Sequence, residues 1–302
     1  MAILQHRYLN IAAMEALRQV RLQPRGAAEG AFAGPHKSHF RGTAVEFADY
    51  REYSPGDDIR LVDWKVFART DRHYVRLYDA ERNLLTYLVV DKSGSMEFEG
   101  AVIRTVSKLE QAARLAAALG YLVLREGDEA GLSLADDRLH SHLPAAAASW
   151  AQMNRMLDQL GRARAQGRTD LGACLEQVFK QTRRRGILAV FSDFLGADAR
   201  FWKAVDLFRR SRFDVMLFQV AHPEELELPE VVSARFVETE GTGHFNAEPD
   251  VVRTLYRRRF ESFISEIKAN CQARGSDWYL ARTSDDPCRF LRDCFLAREK
   301  YR

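Results

Sequence analysis

From position 84 onward, short continuous apolar runs alternate with apolar stripes at helical spacing. Leu84 to Val90, Ile187 to Phe191 and the segment 213–220, with Val215, Leu217, Phe218 and Val220, are runs of strand length. Runs of this kind read as strands covered on both faces. Between them Leu109, Ala112, Ala113, Ala116, Leu119 and Leu122 recur every three or four residues and predict a helix over 103–125. Similar spacing predicts helices over 147–160, 171–184, 199–210, 249–273 and 287–300. Residues 128–143 read as two short strands turning at Asp136-Asp137, and 232–239 and 276–281 as further strands. Strands alternating with helices predict an α/β fold, with a mostly parallel sheet and helices on both faces.

Upstream the pattern is less regular. Leu9, Ala12, Ala13, Ala16, Leu17 and Val20 predict a helix within 7–22, and the glycine-rich stretch 23–42 reads as loop. Residues 43–53 alternate as a strand with an irregularity, and Ser54-Pro55-Gly56-Asp57 is a turn. Leu61 to Arg69 predicts a short helix, and Tyr74 to Asp79 alternates again as a strand. The division expected is a small helix/strand annex over 1–81 and a main domain over 82–302.

Composition narrows the class. At 302 residues, 46% hydrophobic and 29% charged, the chain is expected to fold and bury a sizeable core. A formal net charge of +3 gives no general pull toward nucleic acid or membrane. Arg183-Arg184-Arg185 and Arg257-Arg258-Arg259 are local exceptions that read first as solvated helix faces. Cys174, Cys271, Cys288 and Cys294 form no Cys-x-x-Cys pair and are expected as buried free thiols. Met1 to Val20 has no uninterrupted apolar core, and no run approaches about 20 apolar residues, so neither a signal peptide nor a membrane span is expected. A cytoplasmic location follows as an expectation.

The chemistry concentrates where strands end. Asp91-Lys92-Ser93-Gly94-Ser95 follows the first buried run, Gly167-Arg168-Thr169-Asp170 precedes a helix, and Ser192-Asp193 closes another buried run. In an open α/β sheet the carboxyl ends of the strands are where ligand sites form. Oxygen donors alone suit a hard cation, Mg²⁺ first, with Mn²⁺ or Ca²⁺ as alternatives. Ser93, Ser95 and Thr169 would give lone pairs without charge, while Asp91 and Asp193 would act largely through bridging waters. Such a cation stays under-neutralised and attracts a carboxylate from outside. Taken singly, each hydroxyl also reads as a helix cap.

The run Asp91-Lys92-Ser93-Gly94-Ser95-Met96 resembles the metal-ion-dependent adhesion site of the von Willebrand factor A superfamily. Thr169 matches that motif's separate threonine, and Asp193 its later aspartate. The resemblance implies a Rossmann-like sheet with one antiparallel strand and a binding module, not an enzyme. Upstream, Tyr50-Arg51-Glu52-Tyr53-Ser54-Pro55-Gly56-Asp57-Asp58-Ile59-Arg60, with Asp63-Trp64 and Ala68-Arg69, resembles the bacterial DUF58 family. That resemblance implies a MoxR-type AAA+ ATPase as partner, in protein assembly or maturation. Within this signature Arg51, Asp57, Asp58, Arg60, Asp63, Trp64 and Arg69 are candidates for partner docking. A second metal or phosphate site is one alternative there. The other is internal: Asp57 or Asp58 capping the turn, Arg60 and Arg69 pairing within the chain, and Trp64 and Phe67 packing inward. Two other functions stay open on the residues: a phosphatase-like hydrolase using Asp91, and nucleic-acid binding through the arginine-rich helices.

Overall fold

The structure, a computed structural model, describes residues 6–9, 14–18, 20–22, 46–79, 84–146, 149–182, 184–229, 234–237, 244–247 and 249–300. The chain groups into two compact units, residues 30–83 and residues 1–29 together with 84–302. In the smaller unit β1 (Glu46–Glu52) pairs antiparallel with β2 (Tyr74–Asp79). The register slips between Phe47 and Asp49, the irregularity that the sequence predicts. A 3₁₀ turn, Ile59–Leu61, and helix α1 (Trp64–Thr70) lie in the connection.

The larger unit opens its sheet with β3 (Leu85–Asp91), followed by α2 (Lys108–Arg125), β4 (Glu129–Ala135), β5 (Leu139–Ala146) and α3 (Trp150–Arg162). Then come α4 (Leu171–Gln181), β6 (Ile187–Ser192), α5 (Ala199–Arg210), β7 (Asp214–Ala221) and the single turn α6 (Pro223–Leu226). A separate hairpin of β8 (Ala234–Val237) and β9 (His244–Ala247) precedes α7 (Pro249–Ala273), β10 (Asp277–Arg282) and α8 (Pro287–Lys300). The six-stranded sheet has the order β10-β7-β6-β3-β4-β5, and every neighbouring pair is parallel except β4 with β5. The α/β class and mostly parallel sheet are therefore as expected, with the one antiparallel strand at an edge.

Burial explains the order. Every residue of β3, β6 and β7 is buried, so these strands take the centre, with apolar cover on both faces. In β5 no residue is fully buried, which suits an edge. One apolar layer packs α2, α3 and α8 on the sheet, joined by Tyr8, Leu9, Met14 and Leu17 from the start of the chain. The other packs α4, α5 and α7. The annex expected over 1–81 is thus divided. Its first residues belong with the large core, because Leu17 and its neighbours bury apolar side chains there. Of the helix expected within 7–22, residues 10–13 and 19 lie outside the described residues; the described part holds a short 3₁₀ turn, Glu15–Leu17.

Helix ends shift from expectation in several places, as in α1 and α3, and at two of them the local reason is plain. The helix expected from 103 starts at 108, because Ser107 Oγ accepts the backbone N–H of Glu110 at 3.1 Å and caps it. The helix expected to reach 184 stops at 181, where the Thr182 hydroxyl donates back to the Phe179 carbonyl at 2.7 Å. All four cysteines are buried free thiols, as expected, and burial pushes each up to about 12. Among the described residues no helix is long and apolar enough to cross a membrane.

One buried ion cluster ties α8 to the sheet. Arg298 meets Asp214 at the start of β7, and its Nη1 lies 3.3 Å from Asp277 at the start of β10. Replacing it with leucine takes this cation from both buried carboxylates, while Arg209 stays 4.0 Å from Asp214. Arg298→Leu is expected to cost roughly 3–5 kcal/mol in urea unfolding at neutral pH. A loss below about 1 kcal/mol would show that these charges are already solvated or otherwise paired.

Candidate metal site

Parallel pairing of β3 with β6 sets Val90 beside Phe191, so Asp91 and Ser192 end the two strands together. The chain runs from β3 to β4 on one side and later to β6 on the other. The strand order therefore reverses between β3 and β6, at the position where a crevice opens. Asp91 accepts from the Ser192 hydroxyl at 2.5 Å and from its own loop, through Ser93 N–H, at 2.8 Å. The Ser93 and Ser95 hydroxyl oxygens lie 3.2 Å apart. Asp91, Ser93, Ser95 and Asp193 are all buried.

Thr169 comes from a loop stitched to the serine loop by two backbone bonds. Gly94 N–H donates to the Gly167 carbonyl at 2.9 Å, and Gln166 N–H donates to the Lys92 carbonyl at 2.9 Å. On its other side Thr169 packs against Gly196, where a Cβ would overlap the threonine methyl. Glycine at 196 thus lets the loop after Asp193 close onto Thr169. The Thr169 hydroxyl oxygen is buried and has no hydrogen-bond partner among the described residues. The structure thereby brings the three predicted loops to one sheet edge.

The electrostatics are those of an anionic pocket. Burial, and then the charge of Asp193, push the Asp91 carboxyl up to about 7, against the bonds from Ser192 and Ser93. Asp193 is better supported: Leu195 N–H donates to Oδ1 at 3.1 Å, and Lys108 Nζ to Oδ2 at 2.8 Å. Lys108 is itself buried and also contacts Glu225 at 2.6 Å. Burial opposes its charge, but Asp193 and Glu225 outweigh that and raise its pKa above the ordinary lysine value.

Lys108, Glu225 and Gly196 escaped the sequence reading. Lys108 carried a legible signal, since it heads the buried stripe of Ala112, Leu115 and Leu119 on α2. Glu225 carried none, because its pairing spans 117 residues. Two carboxylates and three hydroxyls, one of them unpartnered, are the donor types that a hard cation takes.

The upstream signature serves mostly its own unit. Arg51 pairs with Asp57 at 2.8 Å, and Asp57 also accepts Ser54 N–H at 2.9 Å across the turn. Asp58 accepts Arg60 N–H at 3.0 Å, and buried Asp63 caps α1 through Lys65 N–H at 2.9 Å while taking the Tyr50 hydroxyl at 2.7 Å. In place of the ion pair that the internal alternative gave Arg69, its Nε donates to a backbone carbonyl, Lys65 O, at 3.3 Å, and it meets no carboxylate among the described residues. Arg60 is exposed. Trp64, a docking candidate that the internal alternative would pack inward, is 55% exposed, with its ring edge-on to Phe67 and His73. The arginine runs are partly neutralised, Arg184 by Glu129 at 2.8 Å and Arg257 by Glu261 at 2.9 Å.

A second group of metal-ligand types, Asp136, Asp137 and His140, sits at the bend between β4 and β5. Lys92 Nζ lies 2.5 Å from Asp136 and holds that carboxyl below its ordinary range, against the cost of burial. A cation there would compete with a lysine already in contact.

The family model described as "Protein of unknown function DUF58" matches residues 49–268. Uncharacterised proteins of Mycobacterium tuberculosis and Mycobacterium bovis are each 30% identical over 275 residues, 90% of this chain and 85% of theirs. BatB from Bacteroides thetaiotaomicron, a solved structure, aligns with a TM-score of 0.46 at 13% identity, over 73% of this chain and 100% of that one. A von Willebrand factor type A protein from Catenulispora acidiphila aligns with a TM-score of 0.34 at 16% identity, over 49% and 35%.

The raised Asp91 pKa has a signed consequence without metal. The folded protein keeps a proton that the unfolded chain loses near its ordinary value of 3.8, so stability falls as pH rises from about 4 to about 7. Asp91→Asn removes that slope and is expected to be more stable than wild type in EDTA at pH 8, by roughly 1–3 kcal/mol. Urea titrations of both proteins from pH 5 to 8 measure the difference. Curves that stay parallel across this range would contradict it.

Proposed function

The chain belongs to the DUF58 family, and from that membership we propose a non-catalytic, Mg²⁺-dependent protein-interaction module of von Willebrand factor A type. The observation that carries the reading is the Thr169 hydroxyl, buried without a partner among the described residues, on the loop stitched to that of Ser93 and Ser95. A buried hydroxyl left unpaired costs about 1–3 kcal/mol, and a cation would use its lone pair. Ser93, Ser95 and Thr169 would hold the ion directly, and Asp91 and Asp193 would hold it through waters.

The surroundings support a partner at the same edge. Leu195, two residues past Asp193, is 51% exposed. Val102 and Ile103, on the loop leaving the serine turn, are 56% and 49% exposed. Their backbone N–H groups are held by Glu224, Val102 at 2.7 Å, so this loop presents its side chains outward from a fixed backbone. A partner offering a carboxylate flanked by apolar residues matches both features. The partner we propose is a MoxR-type AAA+ ATPase, or a protein it acts with, in a cytoplasmic assembly or maturation step.

Binding to the MoxR-type ATPase of the same organism is expected in Mg²⁺ and lost in EDTA. Thr169→Ala and Ser95→Ala are expected to weaken it roughly tenfold or more. Capture that survives both EDTA and Asp91→Ala would end the metal-dependent reading.

A further inference from the structure

An open cleft of about 690 Å³ lies between α3 and the edge strand β5. That volume is within the usual range for a small-molecule site. Its floor is apolar, made by Leu134, Leu143 and Ala163. Its walls are mainly basic: Arg155 and Arg162 on α3, Arg164 just beyond it, and Lys92, against a single carboxylate, Asp158.

These cations differ in how free they are. Lys92 is committed to Asp136, and Arg164 donates to the Gly161 and Ala163 carbonyls at 3.2 and 2.8 Å. Arg155 and Arg162 are exposed, sit seven residues apart on one helix face, and form no ion pair among the described residues. Two polar atoms on lining residues are closed to solvent and are not among the groups that face a ligand. Ser141 Oγ and Gln159 Oε1 are buried and have no hydrogen-bond partner among the described residues, and both residues line the cavity.

The groups that face the cleft together describe a ligand. Two free guanidiniums fit the oxygens of a phosphate, which they can pair in a planar, two-point manner. Asp158 is exposed in the cleft, accepts from hydroxyls and opposes a ligand that is anionic throughout, so the rest of the ligand carries hydroxyls. The apolar floor suits the flat body of a base or sugar ring. We propose that this cleft binds a phosphate ester of a hydroxylated body, of the sugar phosphate or nucleotide class. The cleft shares Lys92 and Gln166 with the loops of the proposed cation site, but Arg155 and Arg162, which carry the binding, are not among the groups assigned to the metal.

Isothermal titration of the full chain in EDTA with ribose 5-phosphate, ADP and inorganic phosphate tests this. One of the two esters should saturate a single site and bind about tenfold or more tighter than inorganic phosphate. The double variant Arg155→Gln, Arg162→Gln should weaken that ester about tenfold or more, with an unchanged circular dichroism spectrum. Asp91→Asn should leave it unaltered, which separates this site from the proposed cation site. Three results would overturn the proposal: no saturation by either ester into the millimolar range, equal binding by wild type and double variant, or inorganic phosphate binding as tightly as both esters.

Discussion

Two carboxylates, Asp91 and Asp193, are buried within electrostatic reach of each other at the carboxyl edge of the sheet. Like charges kept from water repel, and much of the nearby structure answers that repulsion. Ser192 and the Ser93 N–H support Asp91, while Lys108 and the Leu195 N–H support Asp193. Lys108 extends the network to Glu225, and Glu225 belongs to the turn α6 whose Glu224 clasps the loop 101–103. The charge problem at two strand ends therefore reaches the loop that rims the crevice.

Lys108 limits how far the protein solves this problem alone. Its one positive charge faces two carboxylates, Asp193 and Glu225, and it does not hydrogen-bond Asp91 among the contacts of the described residues. Asp91 is left to rise to about 7. At neutral pH the pocket thus retains a demand for positive charge, and the Thr169 hydroxyl has no hydrogen-bond partner among the described residues. A bound cation would meet both demands. Neutral hydroxyl ligands would leave it enough charge to attract a carboxylate from another protein.

The strong periodic elements were legible from the chain. Helices over 199–210, 249–273 and 287–300 run where their apolar stripes place them. Boundaries set by a single side-chain bond were not legible, as at Ser107 and Thr182. The first residues of the chain were misassigned because apolar helical spacing says that a face is buried, not against which core. At the site, the short run from Asp91 to Ser95 showed itself locally. Its link to Thr169 and Asp193 rested on strand-end logic that parallel pairing of β3 and β6 supports. Glu225 and Gly196 matter only through contacts across the fold, so no local pattern marks them.

The central claim is that these oxygens hold a cation. Crystals grown with Mn²⁺ and measured for its anomalous scattering test it most directly. The account predicts one ion about 2.0–2.3 Å from the hydroxyl oxygens of Ser93, Ser95 and Thr169, with Asp91 and Asp193 reached through waters. Anomalous density at Asp136, Asp137 and His140, with none in the serine loop, would contradict it.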